Sequence, residues 1–323
     1  MSFNLAKVGC QAGWEKYEHN PILGDESAFV FDMDVVRVDG RYRMYFSWRN
    51  HYSIAMVESE DGFQWGEPRI VLEPNPDSGW EDDVNRPAVV YKDGLYHMWY
   101  SGQTSGKFKD ETWTDVYLEA AQAEAGTSYI GYATSKDGIG WERREQPVLK
   151  PTATWELQSL MCPSVLWDQE EAVFKMWYSG GGWFEPNAIG YATSQNGIDW
   201  EKPSTNPIFT NQVENLWERE RVAGCHVFQQ DGWYYMAYIG FEDLFKSRVC
   251  LARSRDGVTN WERHPNNPII SAGVPGAWDS ESIYKPYLLY DQQQDRWLMW
   301  FNARSGTIER IGVAIHEGKD LGF

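Results

Sequence analysis

The chain has 323 residues, with 47 Asp and Glu against 29 Lys and Arg, for a formal net charge of −18. That balance opposes nucleic acid and anionic membrane as partners, because both need basic surface. No apolar run reaches the length of a membrane span, and residues 1–9 (MSFNLAKVG) lack the apolar core of a secretory signal.

In chain order, the first recognisable segment is 14–23 (WEKYEHNPIL), which matches 200–209 (WEKPSTNPIF) far downstream. Next comes the first of five copies of one strand: 42–47 (YRMYFS), 96–102 (YHMWYSG), 174–180 (FKMWYSG), 234–240 (YYMAYIG) and 297–302 (WLMWFN). Their methionines, at 44, 98, 176, 236 and 299, are separated by 54, 78, 60 and 63 residues. Periods of this size mark repeat architectures whose units cannot bury a core alone. An extended segment such as 87–91 (PAVVY) precedes each copy, joined to it by Asp39-Gly40, Asp93-Gly94 or Asp231-Gly232.

A third alternating segment follows, as in 130–135 and 189–194 (both IGYATS) and 249–254 (VCLARS). It ends in Asp61-Gly62, Asp137-Gly138, Asn196-Gly197 or Asp256-Gly257, dipeptides that supply the positive φ of tight hairpins. Trp65, Trp141, Trp200 or Trp261 comes next, then Asn-Pro or Gln-Pro and a short apolar run such as 268–270 (PII). Four short β-branched and aromatic strands per unit make an antiparallel sheet. Five such sheets predict an all-β fold, a five-bladed β-propeller spanning 1–323 as one domain. The last unit stops at 317–323 (EGKDLGF) without its Trp strand, so the N-terminal segment is expected to complete the last blade. An insertion at about 103–127 in the second blade carries good helix formers at 115–125 (DVYLEAAQAEA). Cys10, Cys162, Cys225 and Cys250 show no metal-ligand spacing, and no cofactor is predicted; a structural metal ion in the channel is the alternative, without a diagnostic spacing to support it. They read as thiols of a reducing compartment, which points to the cytoplasm.

Subtracting the repeat isolates candidates for chemistry. Glu81, Glu156, Glu218 and Asp279 each follow a Trp, recur across units and read as scaffold. Alignment on Pro87, Pro163 and Pro286 puts Arg86, Cys162 and Lys285 at one position, which is Asp32 in the first unit. In the fourth unit the same alignment selects Ala223, with Arg221 two residues earlier. Positions two apart face the same way in a strand. Asp32, Arg86, Arg221 and Lys285 are therefore expected in one funnel, with Asp34, Asp83, Glu220 and Glu281 or Ser282. Salt bridges between neighbouring blades are the structural alternative, although such a group is costly to desolvate without ligand or water. Arg49, Trp183 and Arg304 sit on loops expected at the same opening, and carboxylates, Arg and Trp together suit a saccharide. His51 and His226 read as structural side chains rather than acid–base groups.

The pattern Met-Trp-Tyr-Ser-Gly, Ile-Gly-Tyr-Ala-Thr-Ser, Asp-Gly, Trp-Glu and Asn-Pro resembles the five-bladed glycoside hydrolase superfamily. That group includes family 43 (arabinanases, xylosidases), family 32 (invertases, fructanases) and family 130 (mannoside phosphorylases). The resemblance covers essentially the whole chain and implies a small carbohydrate substrate attacked by a carboxylate pair. Asp32 matches the carboxylate of the first blade, a base or nucleophile. The third-blade Asp of those families falls at Cys162 and the fourth-blade Glu acid at Val222, so two of three carboxylates are absent. Glu220, two residues from Val222, is the nearest acid, with Asp83 and Glu281 in reserve. Family 130 enzymes hold phosphate with basic residues, and Arg86, Arg221 and Lys285 suit either phosphate or a uronic or sialic carboxylate. The expected activity is glycoside hydrolysis. Phosphorolysis and a silent sugar-binding propeller are the alternatives.

Overall fold

The computed structural model describes residues 5–25, 29–104, 126–182 and 185–323. The helix expected at 115–125 and the candidate Trp183 lie outside these residues. Among the described residues, regular structure is strand apart from short 3₁₀ turns, and no helix is long and apolar enough to cross a membrane.

A short strand, β1 (Trp14–Lys16), comes first. The first meander is β2 (Val30–Val38), β3 (Arg41–Trp48), β4 (Ser53–Ser59) and β5 (Arg69–Leu72). The second is β6 (Asp83–Lys92), β7 (Leu95–Gln103), β8 (Ser128–Ser135) and β9 (Glu142–Arg143). The third is β10 (Ser159–Asp168), β11 (Val173–Gly181) and β12 (Pro186–Ser194). The fourth is β13 (Arg221–Gln230), β14 (Trp233–Asp243), β15 (Lys246–Ser254) and β16 (Glu262–Arg263). The last is β17 (Ser282–Asp291), β18 (Arg296–Ser305) and β19 (Ile308–Glu317). Neighbouring strands within each meander pair antiparallel, and one parallel bridge, Ser128 to Ser159, joins the second and third meanders into a seven-stranded sheet. β1 pairs antiparallel with β19, Trp14 opposite His316, so the N-terminus supplies the fourth strand of the last sheet.

The first strands of the meanders pack in succession: β2 on β6, β6 on β10, β10 on β13, β13 on β17 and β17 back on β2. The repeated motif explains this packing. Each methionine of the motif is fully buried, and burying such a side chain contributes about 1.5–3 kcal/mol. In four of the five copies the residue after it is aromatic and reaches the next meander, Ala237 being the exception. The indole N–H of Trp99 donates to Gly197 O, that of Trp177 to Gly257 O and that of Trp300 to Gly62 O, at 2.8–2.9 Å. Tyr45 does the same with its hydroxyl, 2.9 Å from Gly138 O. The acceptors are the turn glycines of the Asp-Gly and Asn-Gly dipeptides. Trp300 and Gly62 come from opposite ends of the chain and close the circuit.

The carboxylates read as scaffold are buried and paired, and the three glutamates are doubly engaged. Glu81 accepts from the Tyr100 hydroxyl (2.5 Å) and faces Arg143 (3.3 Å). Glu156 takes Tyr178 (2.7 Å) and Lys202 (2.7 Å), and Glu218 takes Tyr238 (2.8 Å) and Arg263 (2.7 Å). In the last sheet Asp279 meets Lys16 of β1 at 2.6 Å. A buried carboxylate paired with a cation thus recurs in four meanders, with a tyrosine hydroxyl added in three of them, and in the last the cation comes from the N-terminal strand.

Candidate active site

All five innermost strands break register near their start. The shifts fall between Phe31 and Asp34, Asn85 and Ala88, Met161 and Ser164, Ala223 and Cys225, and Tyr284 and Tyr287. At the crest of each bulge stands a residue with positive φ: Asp32 (48°), Arg86 (54°), Cys162 (53°), Gly224 (36°) and Lys285 (42°). A bulge re-aims one side chain, and left-handed backbone at a non-glycine residue costs energy that the surroundings must hold in place. The holding groups come from the neighbouring meander. The Asp32 N–H donates to Asn302 Oδ1 (2.7 Å), Arg86 N–H to Ser47 Oγ (2.7 Å), Cys162 N–H to Ser101 Oγ (3.2 Å) and Gly224 N–H to Ser179 Oγ (2.8 Å). The residue three past the motif methionine, Ser47, Ser101, Ser179 or Asn302, therefore serves the bulge next door.

This geometry corrects the alignment of the fourth unit. Gly224, not Ala223, is the counterpart of Arg86 and Cys162. A side chain there would meet Ile239 Cδ1 at 2.6 Å, so glycine satisfies both the backbone and the space. The glycine itself was the signal available in the sequence.

Asp32 and Arg86, crests of adjacent bulges, meet directly: Nε of Arg86 lies 2.9 Å from Asp32 Oδ2, with both side chains largely buried. Nη1 of Arg86 donates to Asn85 Oδ1 (2.8 Å) and Gln103 Oε1 (3.0 Å). Asn85 in turn donates to Gln103 Oε1 (2.8 Å) and to Asp83 Oδ1 (2.9 Å). Arg49 approaches Asp83 Oδ2 at 4.0 Å, and Arg49 and Arg86 both lie over the Phe31 ring, 4.4 and 5.6 Å from its centroid. Asp32, Arg86, Asp83 and Arg49 thus form one network. Burial works against the Arg86 charge, but Cys162, Asp32, Glu185 and Asp83 together raise its pKa. Cys162 faces this network as a buried thiol, pushed up to about 12 by burial. Lys285 is also buried, its ammonium donating to Cys225 O at 3.1 Å.

Asp34 does not share the environment of Asp32, because the bulge breaks the alternation that would align them. Its carboxylate accepts the N–H of Val89 on the next inner strand. Two residues past their own crests, Ser164 and His226 do the same for Val227 N–H (3.0 Å) and Leu288 N–H (3.0 Å). Asp34 is therefore a member of a repeated stitch between inner strands, which corrects its expected place among substrate ligands. Burial raises its pKa to about 7 despite the pull of Lys285. His226 is stacked on Tyr287 at 3.8 Å, and burial lowers its pKa well below the usual imidazole value, as a structural histidine requires. His51 is exposed and packs edge-on against Trp48.

The remaining expected residues stand at the strand starts and loops. Glu220 is exposed and engages the adjacent Arg221, whose Nη1 also donates to the carbonyl of Glu185 (3.3 Å). Glu281 is half-exposed, 3.8 Å from Arg304. Arg304 Nη2 donates to Phe245 O (3.1 Å). Glu185 was not singled out from the sequence. It precedes β12 in the hairpin after β11, and loop carboxylates carry no strand register by which to place them. Burial pushes its carboxyl up to about 7 against the opposing pull of Arg86, Arg221 and Arg304, while the Asp32 charge pushes the same way as burial.

A family model, glycosyl hydrolases family 43, matches residues 19–317. A 1,2-β-oligomannan phosphorylase of Thermoanaerobacter sp. (strain X514) is 27% identical over 256 residues, covering 77% of this chain and 75% of that protein. An A type blood N-acetyl-α-D-galactosamine deacetylase of Flavonifractor plautii is 23% identical over 330 residues, and the match spans only 40% of its length. A solved structure described as a glycoside hydrolase superposes with a TM-score of 0.73 at 19% identity, over 98% of this chain and 94% of that one, a likeness of fold. With the family model matched from Asn20's neighbourhood through the last long strand, this chain belongs to glycosyl hydrolases family 43.

Proposed function

We propose that this protein cleaves glycosidic bonds of a short oligosaccharide or glycoside by hydrolysis, at the mouth of a single-domain, five-bladed propeller whose blades are the five meanders. The observation that carries the reading is the pair Asp32–Arg86, set side by side on two strained bulges (2.9 Å). Strain of this kind persists where the surroundings over-determine it, and it clusters at functional sites. Asp32 is the base or nucleophile, and Arg86 fixes its orientation through the Asn85–Gln103–Asp83 network. The four cysteines, unpaired in the structure, suit a reducing compartment and a cytoplasmic location.

Phosphorolysis is the second reading. It is favoured by the arginines gathered at the mouth, Arg86, Arg221 and Arg304, and by the similarity to an oligomannan phosphorylase. Arginine forks suit phosphate as well as a sugar carboxylate.

The test is turnover of an aryl-glycoside panel and of β-1,2-linked manno-oligosaccharides, each with and without inorganic phosphate. Hydrolysis predicts product without phosphate, and a strict phosphate requirement establishes the second reading. Asp32→Asn should lower kcat at least about 10³-fold with the fold intact. A fully active, folded variant would refute the role of Asp32.

A further inference from the structure

We propose that the cavity beside the β14–β15 hairpin is a second binding subsite, which holds a neutral sugar unit of an oligosaccharide away from the bond being cleaved. The inference rests on the reading of glycosidic cleavage at Asp32 and names the class of substrate that this end of the site selects.

The cavity has a volume of about 440 Å³, within the range of about 300–1,000 Å³ usual for small-molecule sites. Phe245, Lys246, Arg248, Ser271, Ser280 and Glu281 line it. It lies between the fourth and fifth meanders, at the end where the inner strands begin. Glu281 directly precedes β17, and Phe245 stands at the two-residue tip that joins Asp243 of β14 to Lys246 of β15.

A single exposed apolar side chain on a surface needs no explanation. Phe245 differs in how it is held. Its side chain is 49% exposed, yet its backbone is fixed from both sides. The Phe245 N–H donates to Asp243 Oδ1 (2.9 Å), as does that of Lys246 (2.9 Å). The Phe245 carbonyl accepts from Arg304 Nη2 (3.1 Å) and from the Ser282 hydroxyl, both of the fifth meander. An aromatic ring on a rigid turn suits stacking on the apolar face of a sugar ring, because little freedom remains to be lost on binding.

The same strand anchors the reacting end. Asn302, whose Oδ1 accepts the Asp32 N–H (2.7 Å), stands two residues before Arg304 on β18, about 7 Å along the strand. Asp32 and the Phe245 turn are thus hung from nearby points of β18, within the span of a short oligosaccharide.

The polar lining suits hydroxyl groups. Arg248 is taken by Glu242 at 2.7 Å. Lys246 holds its ammonium 3.9 Å from Glu242 and 3.8 Å from Asp243, longer than a hydrogen bond. Glu281 brings a half-exposed carboxylate, 3.8 Å from Arg304. A cation and a carboxylate beside an aromatic ring offer both donors and acceptors to a neutral sugar, whereas Glu281 repels a phosphate or a sugar acid.

The experiment compares the wild type with Phe245→Ala and Phe245→Tyr on two substrates of the sugar cleaved in the panel: the phenyl glycoside, too short to reach the cavity, and the tetrasaccharide. Phe245→Ala should raise KM for the tetrasaccharide about tenfold with kcat unchanged, and should shift kcat/KM on the phenyl glycoside less than about twofold. Phe245→Tyr keeps the ring and should stay within about threefold of the wild type on both. An equal loss on both substrates in Phe245→Ala, as expected of a frame disturbed through Arg304, overturns the subsite. So does an unchanged KM for the tetrasaccharide. Calorimetry with β-1,2-mannotetraose and β-1,4-xylotetraose reads binding apart from turnover. A wild type that binds a tetraose about tenfold more tightly than Phe245→Ala but cleaves no glycoside keeps the subsite and sinks the reading of cleavage. A wild type that cleaves the phenyl glycoside but binds neither tetraose keeps that reading and sinks the subsite.

Discussion

Replacing Asp34 by Asn separates the scaffold from the site. Asp34 is buried, accepts the Val89 N–H, and has a pKa of about 7 against 3.8 for the free side chain. For an acid raised in the fold, stability is lost as pH climbs from the unfolded value to the folded one, and is constant above it. At about pH 5.5 the unfolded chain has released this proton while the native protein keeps it, a penalty of about 2 kcal/mol. At about pH 8.5 the carboxylate is ionised inside the fold and the penalty reaches about 4 kcal/mol. Asparagine keeps the acceptor for Val89 and cannot ionise. Its amide N–H₂ takes the place of an oxygen, Oδ1, that is buried without a hydrogen bond, which costs about 1–3 kcal/mol at any pH. The robust quantity is therefore the change with pH. Urea unfolding of both proteins should show Asp34→Asn gaining about 2 kcal/mol on the wild type between these two pH values. A gap that does not move with pH would refute the account of Asp34 as a buried, protonatable stitch.

Other perturbations probe the ring and the site. Lys16→Met leaves Asp279 buried and uncompensated, and unfolding in urea should show a loss of about 3–5 kcal/mol. Trp300→Phe removes the hydrogen bond to Gly62. The expected cost is about 1 kcal/mol for that bond plus the packing lost, read as a lower thermal midpoint. Arg86→Lys cannot reach Asp32 and the Asn85–Gln103 pair at once. Its kcat should fall about 10²-fold in the steady state with little change in melting temperature.

Much of the scaffold was legible because it repeats. The Met strands, the Asp-Gly turns and the Trp-linked carboxylates recur, and each recurrence answers a demand for packing or for a satisfied buried group. The match of 14–23 to 200–209 anticipated the pairing of β1 with β19 for the same reason. The site was legible only in part. Alternation locates side chains along a regular strand, and the bulge at Asp32 and its counterparts interrupts that alternation. This is why Asp34 was grouped with Asp32 and why Ala223 stood in for Gly224, where no proline follows to anchor the alignment. Glu185 escaped because it stands between β11 and β12, where no strand register places a side chain, and its contact to Arg221 is distant in sequence.

The coupling of Lys16 to Asp279 and of Trp300 to Gly62 also bears on how the molecule is made. Residues 14–16 leave the ribosome before the final sheet is made and must wait for it before they find their strand and their counter-ion. Until then the growing chain is an open arc with two raw edges, and sealing depends on the most distant contact in the sequence, the slow kind of event in folding. A chaperone that shields the early strand, or a delay late in synthesis, would act at this junction before any other.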